Sequence, residues 1–222
     1  MKIHCPSLSR RACLQQALLP LLGAAAMPSL LAGCSLGTAA RLDFHMMRDP
    51  GATDAAPATA PASRIDQVLL VAASSMPGLY DSDRMVFSAD GRSRSYFQFG
   101  YWSERPSQSL LVLAETRLVG AQRFREVALS TSGVRGDLLL SLRLDELYLD
   151  ASLDPGQVRL IVAAELIDWR SRKLLARRVF QQAAPAAVRS AAGVAQATSQ
   201  ALAVMLGELV AWTVASASAP AA

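Results

Sequence analysis

Apolar and polar positions alternate most regularly between Asp137 and Leu149, where Leu138, Leu140, Leu142 and Leu144 are interleaved with Leu139, Ser141, Arg143 and Asp145. Side chains along a strand point to opposite faces in turn, so this period of two predicts a β-strand with one wholly apolar face. The pattern repeats over Val158–Asp168, with Val158, Leu160, Val162, Ala164 and Leu166 on one face, and a third strand is read over Lys173–Gln182. Asp154-Pro155-Gly156 and Trp169–Arg172 supply the turns, and the three strands form an antiparallel meander. From Ala187 to Val214 the period changes to that of a helix. Val188, Ala191, Ala195, Thr198, Leu202, Met205, Leu209 and Trp212 recur at spacings of three and four. The opposite side still holds Ala and Val, so this helix is read as packed on its own sheet and buried on more than one side.

Upstream the pattern is shorter-ranged. Gln67–Ala73 is a compact apolar run and reads as a buried strand. Met85–Ser88 and Ser95–Tyr101 read as a hairpin around Asp90-Gly91. Ser107–Gly120 reads as a helix capped by Ser107 after Pro106 and ended by Gly120, and Phe124–Leu129 as a strand. Leu42–Met47 is a first strand whose alternation fits one facing a core. The Ala- and Pro-rich stretch Asp49–Ser63 reads as a loop.

The first 33 residues belong to none of this. Lys2, Arg10 and Arg11 are followed by an uncharged run from Ala17 to Gly33, broken by Pro20 and Pro28. A basic start, an apolar stretch and small residues before a cut point make a secretory leader, and the prolines argue against a retained spanning helix. Ser9-Arg10-Arg11-Ala12-Cys13-Leu14 reads equally as a twin-arginine export signal or as a plain basic start. Leu31-Ala32-Gly33-Cys34 resembles the lipobox of bacterial lipoproteins, which implies that Cys34 becomes the first mature residue and carries acyl chains such as palmitate. Bacterial lipoproteins retained at the inner membrane often carry Asp after the cysteine. Ser35 therefore favours the outer membrane, with the folded part on its periplasmic face.

Removal of the leader changes the charge picture. Three of the 22 basic residues leave and none of the 18 acidic ones, so the mature chain is 19 against 18, a net of +1. No basic cluster with interleaved aromatics remains, so nucleic acid is not an expected partner. Cys5 and Cys13 leave as well. Cys34 is then the sole mature cysteine and His45 the sole mature histidine, which excludes an intramolecular disulfide and most transition-metal sites. No cofactor or metal is expected apart from the acyl chains, although His45 beside Met46 and Met47 is a minor candidate for copper.

The remaining chemistry is sparse. Asp145 and Glu146, adjacent on a strand, are expected on opposite faces. Asp81 and Asp83 share a Ser-containing loop and are read as turn or cap residues, with acid–base work as the rival. No nucleophile elbow, phosphate loop or dinucleotide fingerprint appears. Tyr96, Phe97, Phe99, Tyr101 and Trp102 concentrate five of the 13 aromatics in seven residues. Alternation puts Phe97, Phe99 and Tyr101 on one face and Tyr96 and Trp102 on the other. A small hairpin cannot bury both faces, so one is a candidate protein-binding or ring-forming surface, with Trp102 alternatively a plug in the core.

Three stretches in order carry a family resemblance: MPGLYDSDRMVF, YWSERPSQSLLVLAETRL and GVAQATSQALAVMLGELVAW. Behind a lipobox, they resemble the ABC-type transport auxiliary lipoproteins, the PqiC-like family, over about residues 41–213. The family usually has paired tyrosines before a leucine in its first strand. This chain has LDFHMM there, so a role tied to those tyrosines is not carried over. The resemblance implies a mixed sheet covered by helices, in agreement with the pattern. The expected fold is therefore α/β: a mixed, mostly antiparallel sheet containing the meander, flanked by two main helices in a layered sandwich. Residues 34–41 form a lipidated tether, 42–214 a single domain and 215–222 a flexible tail.

The resemblance also implies a non-enzymatic lipoprotein beside an ABC transporter and an MCE-domain protein. Such a subunit docks a lipid-transporting, envelope-spanning assembly at the outer membrane, and some members form homo-oligomeric rings. The rivals are a periplasmic lipoprotein hydrolase using the Asp81/Asp83 loop and a lone lipid carrier, which needs an apolar cavity of a few hundred Å3.

Overall fold

A computed structural model describes residues 42–52, 64–74 and 78–219. The leader, the lipobox residues Leu31, Ala32 and Gly33, Cys34 and the tether lie outside the described residues, as does most of the Ala/Pro-rich stretch.

The meander forms as the alternation predicts. β6 (Leu138–Asp150) pairs antiparallel with β7 (Gln157–Asp168), and β8 (Leu174–Pro185) pairs antiparallel with β7. Every residue of the two expected apolar faces, from Leu138 to Leu144 and from Val158 to Leu166, is at most 1% exposed. Beyond Leu144 the phase of β6 changes. Leu144 lies opposite Val162 but Glu146 lies opposite Ile161, so Asp145 is an extra residue in a β-bulge. The buried leucines move from even to odd positions there, to Leu147 and Leu149. Asp145 and Glu146 therefore do not point to opposite faces as expected. Both fall between inward-facing Leu144 and Leu147, and Asp145 is held by Arg143 at 2.6 and 3.2 Å.

The remaining strands join the other edge of β6 in two branches. β2 (Ile65–Ala73) runs parallel along residues 138–142 of β6, with β5 (Phe124–Leu129) parallel outside it. β3 (Arg84–Ser88) runs parallel to the far end of β6 at Leu149 and Asp150. β4 (Ser95–Trp102) folds back antiparallel to β3, and β1 (Asp43–His45) lies parallel to β4 at the sheet edge. The described sheet is mixed and open: four pairings are parallel, and three antiparallel pairings hold most of the paired length.

Two helices bury the apolar faces. α1 (Pro106–Gly120) packs on β5, β2 and β6, and α2 (Ala191–Ser218) on β8, β7 and β4. Both join one core with Leu69, Leu140, Leu160 and Phe180, so the helices form one layer on one face of the sheet. On the opposite face Val68, Leu70, Ala128 and Leu139 make a smaller cluster beneath Val134 and Trp169. The helical stripe is confirmed from Thr198 to Leu209: Thr198, Leu202, Met205 and Leu209 are fully buried.

Three helix boundaries differ from expectation. Pro106 takes the first helical position, where no N–H is needed, so Ser107 lies inside the first turn and does not cap it. α1 ends at Gly120 as expected, and the left-handed residue, Gln122 at φ 52, follows two positions later. α2 begins after Ser190, whose side chain accepts a bond from the Gly193 N–H at 3.2 Å, because residues up to Pro185 extend β8. Val188 accordingly lies outside the helix, 62% exposed. At the other end residues 215–218, expected in the tail, form the last turn of α2, since Ala is the strongest helix former and Ser218 bonds back to the Val214 carbonyl.

One ion pair ties the helical layer together. Arg117 of α1 donates to both oxygens of Asp49, at 3.3 and 3.1 Å, and to the Ala203 carbonyl of α2 at 3.3 Å. The Asp49 side chain is only 1% exposed. Gly51 gives the guanidinium room, since a Cβ there would stand 2.4 Å from Arg117 Nη2.

Candidate functional site

The aromatic hairpin does not keep strict alternation. Arg84 lies opposite Tyr101 but Val86 lies opposite Tyr96, so two steps along β3 match five along β4. The surplus is taken up between Phe97 and Gly100. A Cβ on Gly100 would sit 3.1 Å from the Cβ of Phe97 and 2.7 Å from that of Ala191 in α2. Gly100 is therefore the point where α2 approaches the strand closely, and Phe97 turns the same way. Phe97 packs on the main core with its ring 5.0 Å from that of Phe87, and does not share a face with Phe99 and Tyr101 as expected. Trp102, at 3% exposure, is the core plug.

Three of the five aromatics stay at the surface. Tyr96 lies under the Arg84 guanidinium, 4.3 Å from ring centroid to Cζ. Phe99 is 43% exposed, and the Tyr101 ring lies 5.7 Å from that of Phe44. Phe99→Ala is expected to change stability by no more than about 0.5 kcal/mol. Phe97→Ala should cost about 2 kcal/mol, part of the penalty for a fully buried ring. Chemical denaturation of the two variants separates these outcomes.

The first strand reverses the expectation drawn from its alternation. Leu42, Phe44 and Met46 face outward, while Met47 is buried and His45 is half-buried. β1 is an edge strand, and α2 already covers its inner side, where Ser199 Oγ accepts a bond from the Arg48 N–H. Among the described residues, no three His, Cys, Asp or Glu side chains are gathered where they could hold a metal ion.

Asp81 and Asp83 line a cleft of about 570 Å3 with Gly78, Ser82 and Arg105. Asp81 accepts a 2.5 Å bond from the hydroxyl of Ser107, itself 5% exposed in the first turn of α1. The Ser82 hydroxyl accepts from the Arg84 N–H at 2.9 Å, and the Asp83 carbonyl accepts from the Trp102 N–H at 2.6 Å. These bonds pin the loop to the start of α1 and the hairpin. Among the described residues that line it, the cleft presents carboxylates, a hydroxyl and a guanidinium, and no imidazole or thiol.

The carboxylates with depressed pKa values lie elsewhere. Backbone N–H groups of Ser93 and Arg92 hold Asp90 well below the ordinary range, as the hairpin turn requires. The Val68 N–H, then Arg170 and Arg125, do the same for Asp137, and the Ser171 N–H for Asp168. Strong perturbation marks functional sites when it falls in a cleft. Here it falls on residues that fasten turns and strand ends.

Comparison with known proteins adds three findings. The family described as the ABC-type transport auxiliary lipoprotein component matches residues 52–210. A crystal structure of a Xanthomonas campestris protein, assigned to a family of unknown function, superposes with a TM-score of 0.66 at 20% identity, covering 79% of this chain and 94% of its own. A crystal structure of an uncharacterized protein superposes at 0.57 with 10% identity, covering 77% and 99%. These two likenesses speak for the fold alone. Among the curated proteins, no match is found.

Proposed function

The chain belongs to the ABC-type transport auxiliary lipoprotein family, and on that premise we propose that it is a non-enzymatic subunit of an ABC/MCE-type lipid transport system. Acyl chains on Cys34 anchor it to the periplasmic face of the outer membrane. There the folded domain docks the trans-envelope assembly, alone or as a homo-oligomeric ring. The observation that carries the reading is the family match over residues 52–210, which spans most of the folded domain. The Leu31–Cys34 box and the uncharged run from Ala17 to Gly33 before it support the anchor. The hydrolase reading has a polar cleft at the Asp81/Asp83 loop in its favour, but Ser107, bonded to Asp81, is buried in a helix turn, and Ser82 of the cleft is engaged by the Arg84 N–H.

The test is chemical crosslinking in intact cells followed by purification of the acylated protein from detergent-solubilised outer membrane. An MCE-domain protein is the expected crosslinked partner, with transporter subunits behind it. Repeated recovery of this chain crosslinked only to itself would remove the docking role and leave the ring.

A further inference from the structure

One apolar surface of the domain lies where the chain itself limits what can cover it. Among the described residues, β1 pairs with β4 alone. Phe44 within it and Leu42 and Met46 on either side of it are 62, 50 and 55% exposed. The register sets Phe44 beside Tyr101, and Phe99 lies two residues before Tyr101. The acidic residue of β1, Asp43, falls at the alternate position. Exposed Arg48 lies two residues beyond Met46, and exposed Arg84 lies opposite Tyr101, so arginines border the patch. This is an edge strand with its apolar side turned to solvent, rimmed by aromatics and basic groups.

The occupant follows from chain length. Seven residues, 35–41, separate Cys34 from Leu42. Fully extended, they place Leu42 at most roughly 30 Å from the acylated cysteine. If Cys34 is acylated, β1 is the element nearest the anchor along the chain and is held within that distance of it. We propose that Leu42, Phe44, Met46, Phe99 and Tyr101 form a membrane-resting face that inserts shallowly into the headgroup region of the bilayer holding the acyl chains. Aromatic rings favour that interfacial depth, and the bordering arginines suit anionic headgroups. The proposal rests on the anchor reading and deepens it: the acyl chains hold the protein, and this face sets how the domain stands.

The acylated full-length protein allows a direct test, because blocked Cys34 leaves an introduced thiol as the only reactive one after the leader is cut. Met46→Cys and, as a second position on the same face, Phe44→Cys are labelled with an environment-sensitive fluorophore. Val179→Cys, at an exposed position of β8, is the control. Each is reconstituted into vesicles of phosphatidylethanolamine and phosphatidylglycerol containing headgroup-level nitroxide lipid. Labels on the β1 face should shift to the blue and be quenched at least about twofold, as expected for shallow insertion, while the Val179→Cys label stays unquenched. Labels on β1 as unresponsive as the control, in protein whose mass shows the acyl chains, overturn the face and leave the anchor intact. A blue shift without lipid quenching assigns the patch to a second protein copy and also overturns it. Protein that lacks acyl chains overturns the anchor reading, and this proposal with it.

Discussion

Cys34→Ala is expected to abolish acylation completely. A thioether to lipid requires sulfur, so Cys34→Ser should behave in the same way. Each buried CH2 contributes about 0.8 kcal/mol, a single chain gives only marginal binding and two or more hold essentially permanently, so the change is all or none. In the native protein, mass spectrometry of the amino-terminal peptide should find Cys34 first and carrying fatty acids. In the variant no fatty acid should be found. With the leader exchanged for one ending in an ordinary cleavage site, the variant should move from the membrane fraction to the soluble periplasmic fraction. Fatty acid found on the variant, or a native chain that starts at another residue, would sink the proposed location together with the docking role.

Asp49→Ala should produce the largest loss of stability among single polar changes in the described domain, about 3–5 kcal/mol. The Asp49 carboxylate is almost fully buried and Arg117 is 17% exposed, so removal of the acid leaves a largely desolvated guanidinium with the Ala203 carbonyl as its remaining named acceptor. The pair joins the segment after β1 to both helices, so loosening should spread to the edge that carries Phe44. Replacing both partners by apolar residues, as in Asp49→Leu with Arg117→Met, should recover most of the loss, because a buried ion pair gains little over well-packed apolar groups of similar volume. Urea denaturation of the single and double variants measures both quantities. A single variant within about 1 kcal/mol of the parent would mean that water reaches the pair and screens it.

The parts of the fold that could be read beforehand are those where one period runs uninterrupted. Val158–Leu166 keeps a period of two over its whole length and is buried on the predicted face. The stripe from Thr198 to Leu209 keeps helical spacing and is buried along its length. Asp90-Gly91 marks its hairpin because only a residue free of a Cβ adopts the observed φ of 73 without strain. Misreadings cluster where the period breaks. The bulge at Asp145 brought two acids to one side, although Leu144 followed by Leu147 and Leu149 already carried the phase change in the sequence. The surplus between Phe97 and Gly100 has a weaker mark, a glycine within an aromatic run. Nothing local showed that Ser107 would bond to Asp81, 26 positions away.

The amino-acid order by itself determined the eight strands and two helices of the described domain, and it is the basis for the proposed leader, its candidate lipid-bearing cysteine and a mature chain with a single thiol and a single histidine. Each of these depends on residues near in sequence, through local sterics, periodicity or composition. Only the tertiary structure decided that β6 carries two branches on one edge, that Phe97 and Trp102 belong to the core, and that Leu42, Phe44 and Met46 face water. A period of two states that a strand has an apolar side but not what meets it. That is settled by which neighbour arrives there, and here α2 lies against the inner side of β1 while Leu42, Phe44 and Met46 on and beside its outer side are left exposed.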